Sequence, residues 1–575
     1  MTRRIQGHKS QVHCLNESSS LTKNYRILLP ILISLISFLA YLNTLHHQFV
    51  FDDFRVVVNN PFIKDWKYFP TLFHGDYFRI SGELSYRPVV TLSYFIDYTL
   101  WHLNPLGFHL TNLFIHTLNA FLGYALIFNI TKDLKLAGMS SLLFGVHPIL
   151  TETVNSVGFR EDLLCATFFL LTVFFYVKIY ASHDKNTRYA LALLSYAFSL
   201  FSKEMAISLP IIIFVLDMLL PQSKVRLKIR ILRYYPGFLL MSGVYILLRF
   251  VFLRNTIEHV SYPGNSMVTN VLTMTKVIAS YVKVLFFPIV LNADYHVIPE
   301  TSAIRPPFYL SVVLLICIVG ITLRLWNRQK KIAFFVLWTF ITLIPVMNVV
   351  PIGNIMAERY LYIPSWGFCM FLGILILKTH SYIIHTYRSL VKSCFVLILI
   401  FYCVFTIKHS RIWTDEQTLW FHTVNNNSCS FNAHNNLGKE YFQQGLIDKA
   451  IEEYTIALSK AAEVYYAYPT AHYNLGIAYD VKGRYNDAIR EYKNSLRIDP
   501  GNTDAHNNLG IAFFKNRQAD SAIEEVNKAI TLDPNNATYH YNLAKIYHEA
   551  NMPDKAGIEQ ELANRLKRNL DAGIR

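Results

Sequence analysis

Charged residues at the ends of long apolar runs are the feature of this sequence most able to do chemistry. Asp52 and Asp53 directly follow the first such run, and Lys203-Glu204 stands between two others. Ionisable groups at membrane depth are costly, so their default interpretation is functional. We call the whole group the outer-face charge set, which comprises Asp52, Asp53, Arg87, Glu152, Arg160, Glu161, Asp162, Lys203, Glu204, Glu358 and Arg359.

These residue types fit a group transfer to a hydroxyl. A carboxylate beside a hydroxyl can act as a general base, and a membrane exit is a place that a lipid-borne donor can reach. Arginine offers a planar fork that can steady a departing phosphate. We therefore interpret Asp52 as the base and Asp53 as a residue that orients the acceptor or holds a cation. The candidate cations on the same face are Arg87, Arg160, Lys203 and Arg359.

Each candidate also has an ordinary structural interpretation. Asp52 or Asp53 could cap the helix that follows. The arginines could form local ion pairs within Arg160-Glu161 and Glu358-Arg359. Three histidines, His109, His116 and His147, are interpreted as packed residues near the membrane interface, although His109 and His147 are kept as substrate-binding candidates.

Other catalytic motifs are missing from the sequence. It contains no glycine-rich phosphate loop, no Walker sequence, no HExxH and no GxSxG. The seven cysteines have no metal-binding spacing and read as small apolar residues. We therefore expect neither a metal nor another cofactor at the site.

Composition divides the chain into an apolar part and a polar part. Hydrophobic residues make up 53% and charged residues only 16%, against about 25% charged in soluble domains. Residues 431–575 hold 17 Lys and Arg against 19 Asp and Glu, so the net charge of +15 belongs to residues 1–430. A disordered chain, a collagen and a single soluble enzyme are excluded. Nucleic acid is not the expected partner, because the cations lie between apolar runs.

The apolar part predicts a membrane domain. About 20 apolar residues cross a bilayer, and such runs extend from 25–45 to 391–408. The placement of Lys and Arg in the loops predicts about eleven spans, with a cytoplasmic tail over 1–24 and the C-terminal part outside. Run 270–291 is expected to lie on or dip into the outer face, because otherwise Arg324, Arg328, Lys330 and Lys331 would lie outside. Residues 409–430 are predicted to be a linker.

Residues 431–570 contain an internal repeat. Its anchors are Asn436-Leu437-Gly438, Asn474-Leu475-Gly476, Asn508-Leu509-Gly510 and Asn542-Leu543-Ala544. The period of about 34 residues is typical of tetratricopeptide repeats, here 431–468, 469–502, 503–536 and 537–570, with a tail over 571–575. Four extra residues are expected in a loop near Glu463–Tyr468. Stacked repeats form a concave groove that binds an extended peptide or a protein partner.

One histidine recurs in each repeat. The four are His434, His472, His506 and His540. A ladder of metal sites is one interpretation. The favoured alternative is a half-buried aromatic position on the first helix of each repeat, because one histidine per repeat lies far from the next.

Several motifs in residues 48–366 resemble one family. They are Phe49-Val50-Phe51-Asp52-Asp53 with Asn60-Pro61; Tyr86-Arg87-Pro88; Gly107-Phe108-His109-Leu110-Thr111-Asn112; His147-Pro148-Ile149 with Thr151-Glu152; Gly158-Phe159-Arg160-Glu161-Asp162; Ser202-Lys203-Glu204; and Ala357-Glu358-Arg359-Tyr360. Together with the repeats they are similar to the transmembrane and tetratricopeptide repeat-containing proteins, which are protein O-mannosyltransferases of the GT-C class.

The resemblance implies an acidic pair at Asp52 and Asp53, a polyprenyl- or dolichyl-phosphate sugar donor and no required metal. The short repeat array and the string Gly158-Phe159-Arg160 depart from the animal pattern and favour a bacterial relative in an inner membrane; in a eukaryote the endoplasmic reticulum would take its place. The repeats are expected on the extracytoplasmic side.

Two functions from different classes follow. The first is a mannosyltransferase-like enzyme whose repeats bind the acceptor protein or a partner. The second is a non-catalytic membrane scaffold whose repeats assemble an envelope complex. A scaffold does not need the outer-face charge set. The predicted fold is all-α, with a polytopic GT-C-like helix bundle over 25–408 followed by an α-solenoid of repeats.

Overall fold

The computed structural model describes residues 28–571, apart from 74–76, 78–85, 182, 222–224, 250–261, 303–305, 384–386 and 464–465. The chain forms two compact units, residues 1–419 and residues 420–575. Every regular element in the described ranges is helical, and the all-α prediction is confirmed. The predicted tail over 1–24 lies outside the described residues, as does the predicted tail over 571–575 except for Asp571, which ends the last helix.

The first unit is a bundle of helices joined by loops and short 3-10 turns. Its helices are α1 Leu28–Ala40, α2 Pro88–Trp101, α3 Pro105–Thr131, α4 Leu134–Gly145, α5 Thr151–Asn155, α6 Arg160–Ile179, α7 Lys185–Leu200, α8 Leu209–Leu219, α9 Leu227–Leu247, α10 Met267–Phe286, α11 Pro306–Arg328, α12 Lys330–Leu343, α13 Pro364–Tyr382 and α14 Arg388–Ser410. Helix α15, Glu416–Asn426, lies in the predicted linker and begins before the end of the first unit.

Within the described ranges, four helices are long and apolar enough to cross a membrane. They cover Pro105–Thr131, Val157–Ile179, Phe308–Arg328 and Arg388–Trp413. A fifth span results if Leu134–Gly145 and Pro148–Asn155, which meet at 52°, count as one. The protein is therefore a membrane protein, as predicted. The total of about eleven spans, and the position of 270–291 on the outer face, stay predictions.

The bend after α4 has a local cause. Pro148 lacks a backbone N–H and cannot continue a helix, and the His147 ring accepts a hydrogen bond from the Ile149 N–H at 3.2 Å. The chain therefore turns and restarts as the short helix α5. This turn carries Glu152 into the protein interior, where it is 1% exposed.

Buried polar side chains on α3 tie the bundle together. His116 lies 2.8 Å from the Tyr362 hydroxyl, and Asn119 donates to the Leu163 carbonyl at 3.0 Å. Gly123 leaves room for the Trp366 ring, which would lie 1.8 Å from a Cβ at that position. Buried polar groups need partners of this kind, and these contacts fix α6 and α13 against α3.

The second unit consists of four helix pairs, as the repeat period predicts. They are α16 Phe431–Gln443 with α17 Ile447–Glu463, α18 Pro469–Val481 with α19 Tyr485–Ile498, α20 Thr503–Lys515 with α21 Ala519–Leu532, and α22 Ala537–Glu549 with α23 Pro553–Asp571. A Cβ at Gly438, Gly476 or Gly510 would lie within 2.8 Å of the facing helix. The repeated glycine therefore permits the close pairing. The extra residues of the first repeat lengthen α17 as well as the loop.

The repeated histidines each face a glutamate of the same repeat, 19 residues later. The distance from Nδ1 to the carboxylate is 2.6 Å for His434–Glu453 and for His540–Glu559. His434 and His540 are buried. The histidines thus link the two helices of a repeat, in agreement with the packing interpretation.

Candidate functional site

Asp53 fastens the loop after α1 to the turn before α6. It is fully buried, and its carboxylate accepts hydrogen bonds from Gly158 N at 2.6 Å, Ser156 Oγ at 2.9 Å and Val50 N at 3.1 Å. Burial raises the pKa of Asp53 to about 7, although these hydrogen bonds act to lower it. The side chain makes no capping bond to the helical turn that follows, so its contacts differ from the capping alternative.

Asp52 points away from this anchor and lines a cavity. Its side chain is 30% exposed and lies 3.3 Å from Arg55. The preceding residue, Phe51, has a φ of 56°, which is unusual for a residue with a side chain. The Phe51 N–H donates to the carboxylate of Glu416, at the start of α15. A strained backbone held by specific contacts is typical of functional sites.

The cavity has a volume of about 700 Å³ and lies within the first unit. It brings together six of the predicted site residues, Asp52, Arg87, Glu161, Lys203, Glu204 and Arg359. The other six, Asp53, His109, His147, Glu152, Arg160 and Glu358, are buried and do not line it. The residues that reach the cavity therefore come from loops and helix ends that are far apart in sequence.

A network of charges forms one wall. Arg87 pairs with Glu161, and Lys203 lies 3.0 Å from the same carboxylate. The Glu204 carboxylate forms ion pairs with Arg249 at 3.1 Å and with Arg87 at 3.5 Å. Burial would raise the pKa of Glu204, but Arg87 and Arg249 hold it below its usual range. Glu204 is therefore ionised and keeps the two arginines close together.

The Glu358-Arg359 turn contributes to the wall and to its support. Arg359 pairs with Glu152 and lies over the Phe159 ring, 4.2 Å from its centroid. Glu358 points elsewhere and accepts a hydrogen bond from the Tyr295 hydroxyl at 2.6 Å. Burial and the nearby Glu152 raise the pKa of Glu358 well above its usual range. Only Arg359 of the two faces the cavity.

The proposed local ion pairs are wrong. Arg160 lies 2.6 Å from Asp97 on α2 and donates to Asn112 on α3 at 2.7 Å, whereas Glu161 faces Arg87 and Lys203. Adjacent residues at the start of a helix point in different directions, so Arg160 and Glu161 reach different neighbours. Arg160 is fully buried and joins α2, α3 and α6.

The two candidate histidines are packed residues that do not line the cavity. His109 Nε2 donates to the Gln48 carbonyl at 3.3 Å, and His147 Nε2 donates to the Leu285 carbonyl at 3.2 Å. Both are fully buried. This placement agrees with the packing interpretation, and their assignment as substrate-binding residues stays a prediction.

Sequence reasoning missed several residues of the cavity. Arg55, Arg249, Tyr245 and Tyr360 line it. Arg249 interrupts an apolar run, so the rule that marked Lys203 and Glu204 could have marked it as well. No group of three or more His, Cys, Asp and Glu residues in the described part of the chain could hold a metal ion.

Comparison with protein families identifies the second unit. Tetratricopeptide repeat models match residues 431–459, 482–516 and 518–551. Among solved structures, MamA is similar, with a TM-score of 0.26 and 20% identity over 27% of this chain and 89% of MamA. A MamA from Desulfovibrio magneticus RS-1 also has a TM-score of 0.26, with 19% identity over 27% of this chain and 85% of its own.

Curated relatives cover most of both units. The protein O-mannosyl-transferase F38B6.6 of Caenorhabditis elegans is 29% identical over 446 residues, which is 75% of this chain and 62% of that protein. Human TMTC3, also a protein O-mannosyl-transferase, is 24% identical over 72% of this chain and 49% of its own length. The chain thus spans about half to three fifths of these relatives. The expected bacterial origin stays a prediction.

Proposed function

We propose that the chain, which is similar to tetratricopeptide repeat-containing protein O-mannosyl-transferases, transfers mannose from an isoprenoid phosphate to a hydroxyl of a protein. One observation carries this proposal. A single cavity of a membrane unit holds a partly exposed carboxylate, Asp52, together with five cations, Arg55, Arg87, Lys203, Arg249 and Arg359.

Asp52 is the general base. Its carboxylate takes the proton of the acceptor hydroxyl while the hydroxyl oxygen forms a bond to C1 of the sugar. The bond between C1 and the phosphate oxygen breaks, and its electron pair leaves with the phosphate. Asp52 releases the proton after the product departs, so the site returns to its starting state. Asp53 holds the Asp52 loop through Gly158 and Ser156.

The cations stabilise the departing phosphate. Among the described residues, the carboxylates that line the cavity are Asp52, Glu161 and Glu204, two fewer than the cations, so this part of the lining carries a formal charge of +2. Prearranged positive charge of this kind stabilises negative charge that develops in a transition state. The proposed reaction uses no metal, because these cations take that role.

The repeats have a separate part in this proposal. Tetratricopeptide arrays bind peptides or proteins in their groove, so the second unit recruits the acceptor protein. We place the cavity and the repeats on the extracytoplasmic side, in keeping with the distribution of Lys and Arg.

The test replaces the base. Asp52→Asn keeps the size of the side chain and removes its ability to take a proton, which typically costs about 10²–10⁴-fold in rate. Mannose transfer from a polyprenyl-phosphate mannose to acceptor peptide is measured with purified protein in detergent. Asp65→Asn, an exposed aspartate of the same loop, is the matched control and should retain the wild-type rate.

Wild-type turnover by a folded Asp52→Asn protein would refute Asp52 as the base. A wild-type protein that transfers no sugar from any isoprenoid phosphate would favour the scaffold instead.

A further inference from the structure

Part of the cavity lining is apolar, and we call it the apolar wall. It contains Ile207 just before α8, Ile211 at the start of α8, Ile246 near the end of α9, and Ile344, Val349 and Val350 after α12. The cavity lining therefore combines ion pairs with branched apolar side chains. A ligand that fills it must combine a charged group with a hydrocarbon chain.

Several side chains of the apolar wall are substantially exposed. Ile211 is 45% exposed, Ile246 is 41% exposed and Val349 is 64% exposed. In a membrane protein, exposed branched apolar side chains face hydrocarbon rather than water. A lipid chain could thus enter from the side, along α8 and α9, without crossing the charged wall.

One cation of the charged wall, Arg87, has an unused hydrogen-bond donor. Arg87 and Arg249 both donate to one oxygen of Glu204, Oε2. A guanidinium has five N–H donors, and the buried Arg87 Nε has no hydrogen-bond partner among the described residues. Tyr245 and Ile246 lie at the end of α9, and Arg249 follows two residues after that helix ends. The phosphate-binding chemistry and the apolar wall are therefore close together along the chain.

We propose that Arg87 and Arg249, held together by Glu204, bind the phosphate of the isoprenoid donor, whose chain lies along Ile211 and Ile246 and leaves the cavity beside α8 and α9. This assignment rests on the proposed function for the identity of the donor. It places the sugar between the two arginines and Asp52, so that the acceptor approaches from the Asp52 side.

Binding without turnover tests the site. The probe is farnesyl phosphate carrying a benzophenone on its isoprenoid, added to the full chain in detergent. Photolabelling is expected within residues 207–211 or at Ile246. Dioleoyl phosphatidic acid offers a phosphate with acyl chains. It should compete at least about tenfold more weakly than farnesyl phosphate.

Two pairs of variants sharpen the test. Ile246→Trp fills the apolar wall and should weaken farnesyl phosphate binding at least tenfold, whereas Leu240→Trp, on the same helix and 68% exposed, should not. Arg249→Gln should weaken binding tenfold or more, and Arg249→Lys, which keeps the charge, should weaken it less. A melting temperature equal to wild type establishes folding for each variant.

The outcomes separate this inference from the proposed function. The proposed site would be overturned if photolabelling occurred at other residues or if Ile246→Trp and Leu240→Trp weakened binding equally. It would also be overturned if phosphatidic acid competed as well as farnesyl phosphate. Labelling at the predicted residues in a protein that transfers no mannose would support the site and refute the reaction. Mannose transfer by a protein that is labelled elsewhere would support the reaction and refute the site.

Discussion

At the scale of single residues, Asp53 makes stability depend on pH. Its pKa rises from 3.8 to about 7, chiefly through burial. A carboxyl whose pKa is raised in the folded state stabilises that state below pH 3.8, and this contribution is lost as the pH rises to about 7. Each pH unit in that window costs up to about 1.4 kcal/mol.

We therefore expect the melting temperature of the wild-type protein in detergent to fall more steeply between pH 5 and pH 7.5 than that of Asp53→Asn. Other titrating groups are common to both proteins and cancel in the comparison. Asp53→Asn should also be less stable at pH 5, because its amide N–H would oppose the Val50 N–H that Oδ2 accepts. If the melting temperatures of the two proteins fall in parallel as the pH rises, the raised pKa of Asp53 is contradicted.

Gly158 sets the space available to the acidic pair. A Cβ there would lie 3.1 Å from Asp52 Cβ and 3.3 Å from Asp53 Oδ1, tighter than ordinary contact. Gly158→Ala should displace the loop and reduce turnover about 10–10²-fold, since a misplaced catalytic group costs that much. Gly320→Ala, where a Cβ meets nothing within 4 Å, is the control. Equal rates for both variants would refute this role.

The sequence predicted which charged residues meet in one place better than it predicted their partners. Six of the twelve candidates line one cavity, because costly charges at membrane exits are a local property of the sequence. The partners depend on packing between distant helices. Asp97 lies within the apolar string of α2, and nothing local links it to Arg160 or links Glu152 to Arg359.

At the scale of elements, the segment after α14 holds the Asp52 loop in place. Gln48 N donates to the Thr414 carbonyl at 2.9 Å, and Phe51 N donates to Glu416. Ser410 and Thr44 both donate to Asn155 Oδ1, at 2.7 Å and 2.6 Å. A stretch that the sequence suggested was only a linker thus fixes the strained backbone beside Asp52.

Glu416→Ala should lower turnover about tenfold, because the Phe51 N–H loses its carboxylate and a hydrogen bond to a charged group contributes about 1.5–3 kcal/mol. Glu416→Gln keeps an acceptor oxygen and should lose less. Steady-state rates at matched folded amount measure both, and the loss is expected in kcat rather than in KM for the donor. An alanine variant as active as wild type would show that the contact is dispensable.

Element prediction succeeded where the pattern repeats. The 34-residue period located all four helix pairs. It was weakest at the first repeat, where three of the extra residues extend α17 to Glu463 instead of forming a loop. Helix length there depends on packing, with Ala457 and Ala461 buried, which the repeat period does not encode.

At the scale of the whole molecule, the boundary between the units falls inside a helix. The first unit ends at Leu419, while α15 runs from Glu416 to Asn426. The contacts that hold the Asp52 loop lie before this boundary, and the repeats lie after it. The proposed chemistry and the proposed acceptor binding therefore belong to separate units, and a truncation can separate them only if it leaves Glu416 in place.

Two truncations that differ by one helix test this division. Cutting after residue 427 keeps α15, so the first unit should fold and still release mannose from polyprenyl-phosphate mannose to water or to a short peptide. Transfer to an intact acceptor protein should fall at least about tenfold, because repeats bind their partners through their own groove. Cutting after residue 415 removes Glu416 as well and should reduce both activities. If the longer truncation modifies the acceptor protein at the wild-type rate, the repeats do not recruit it; if the shorter one remains fully active, the Glu416 contact does not position Asp52.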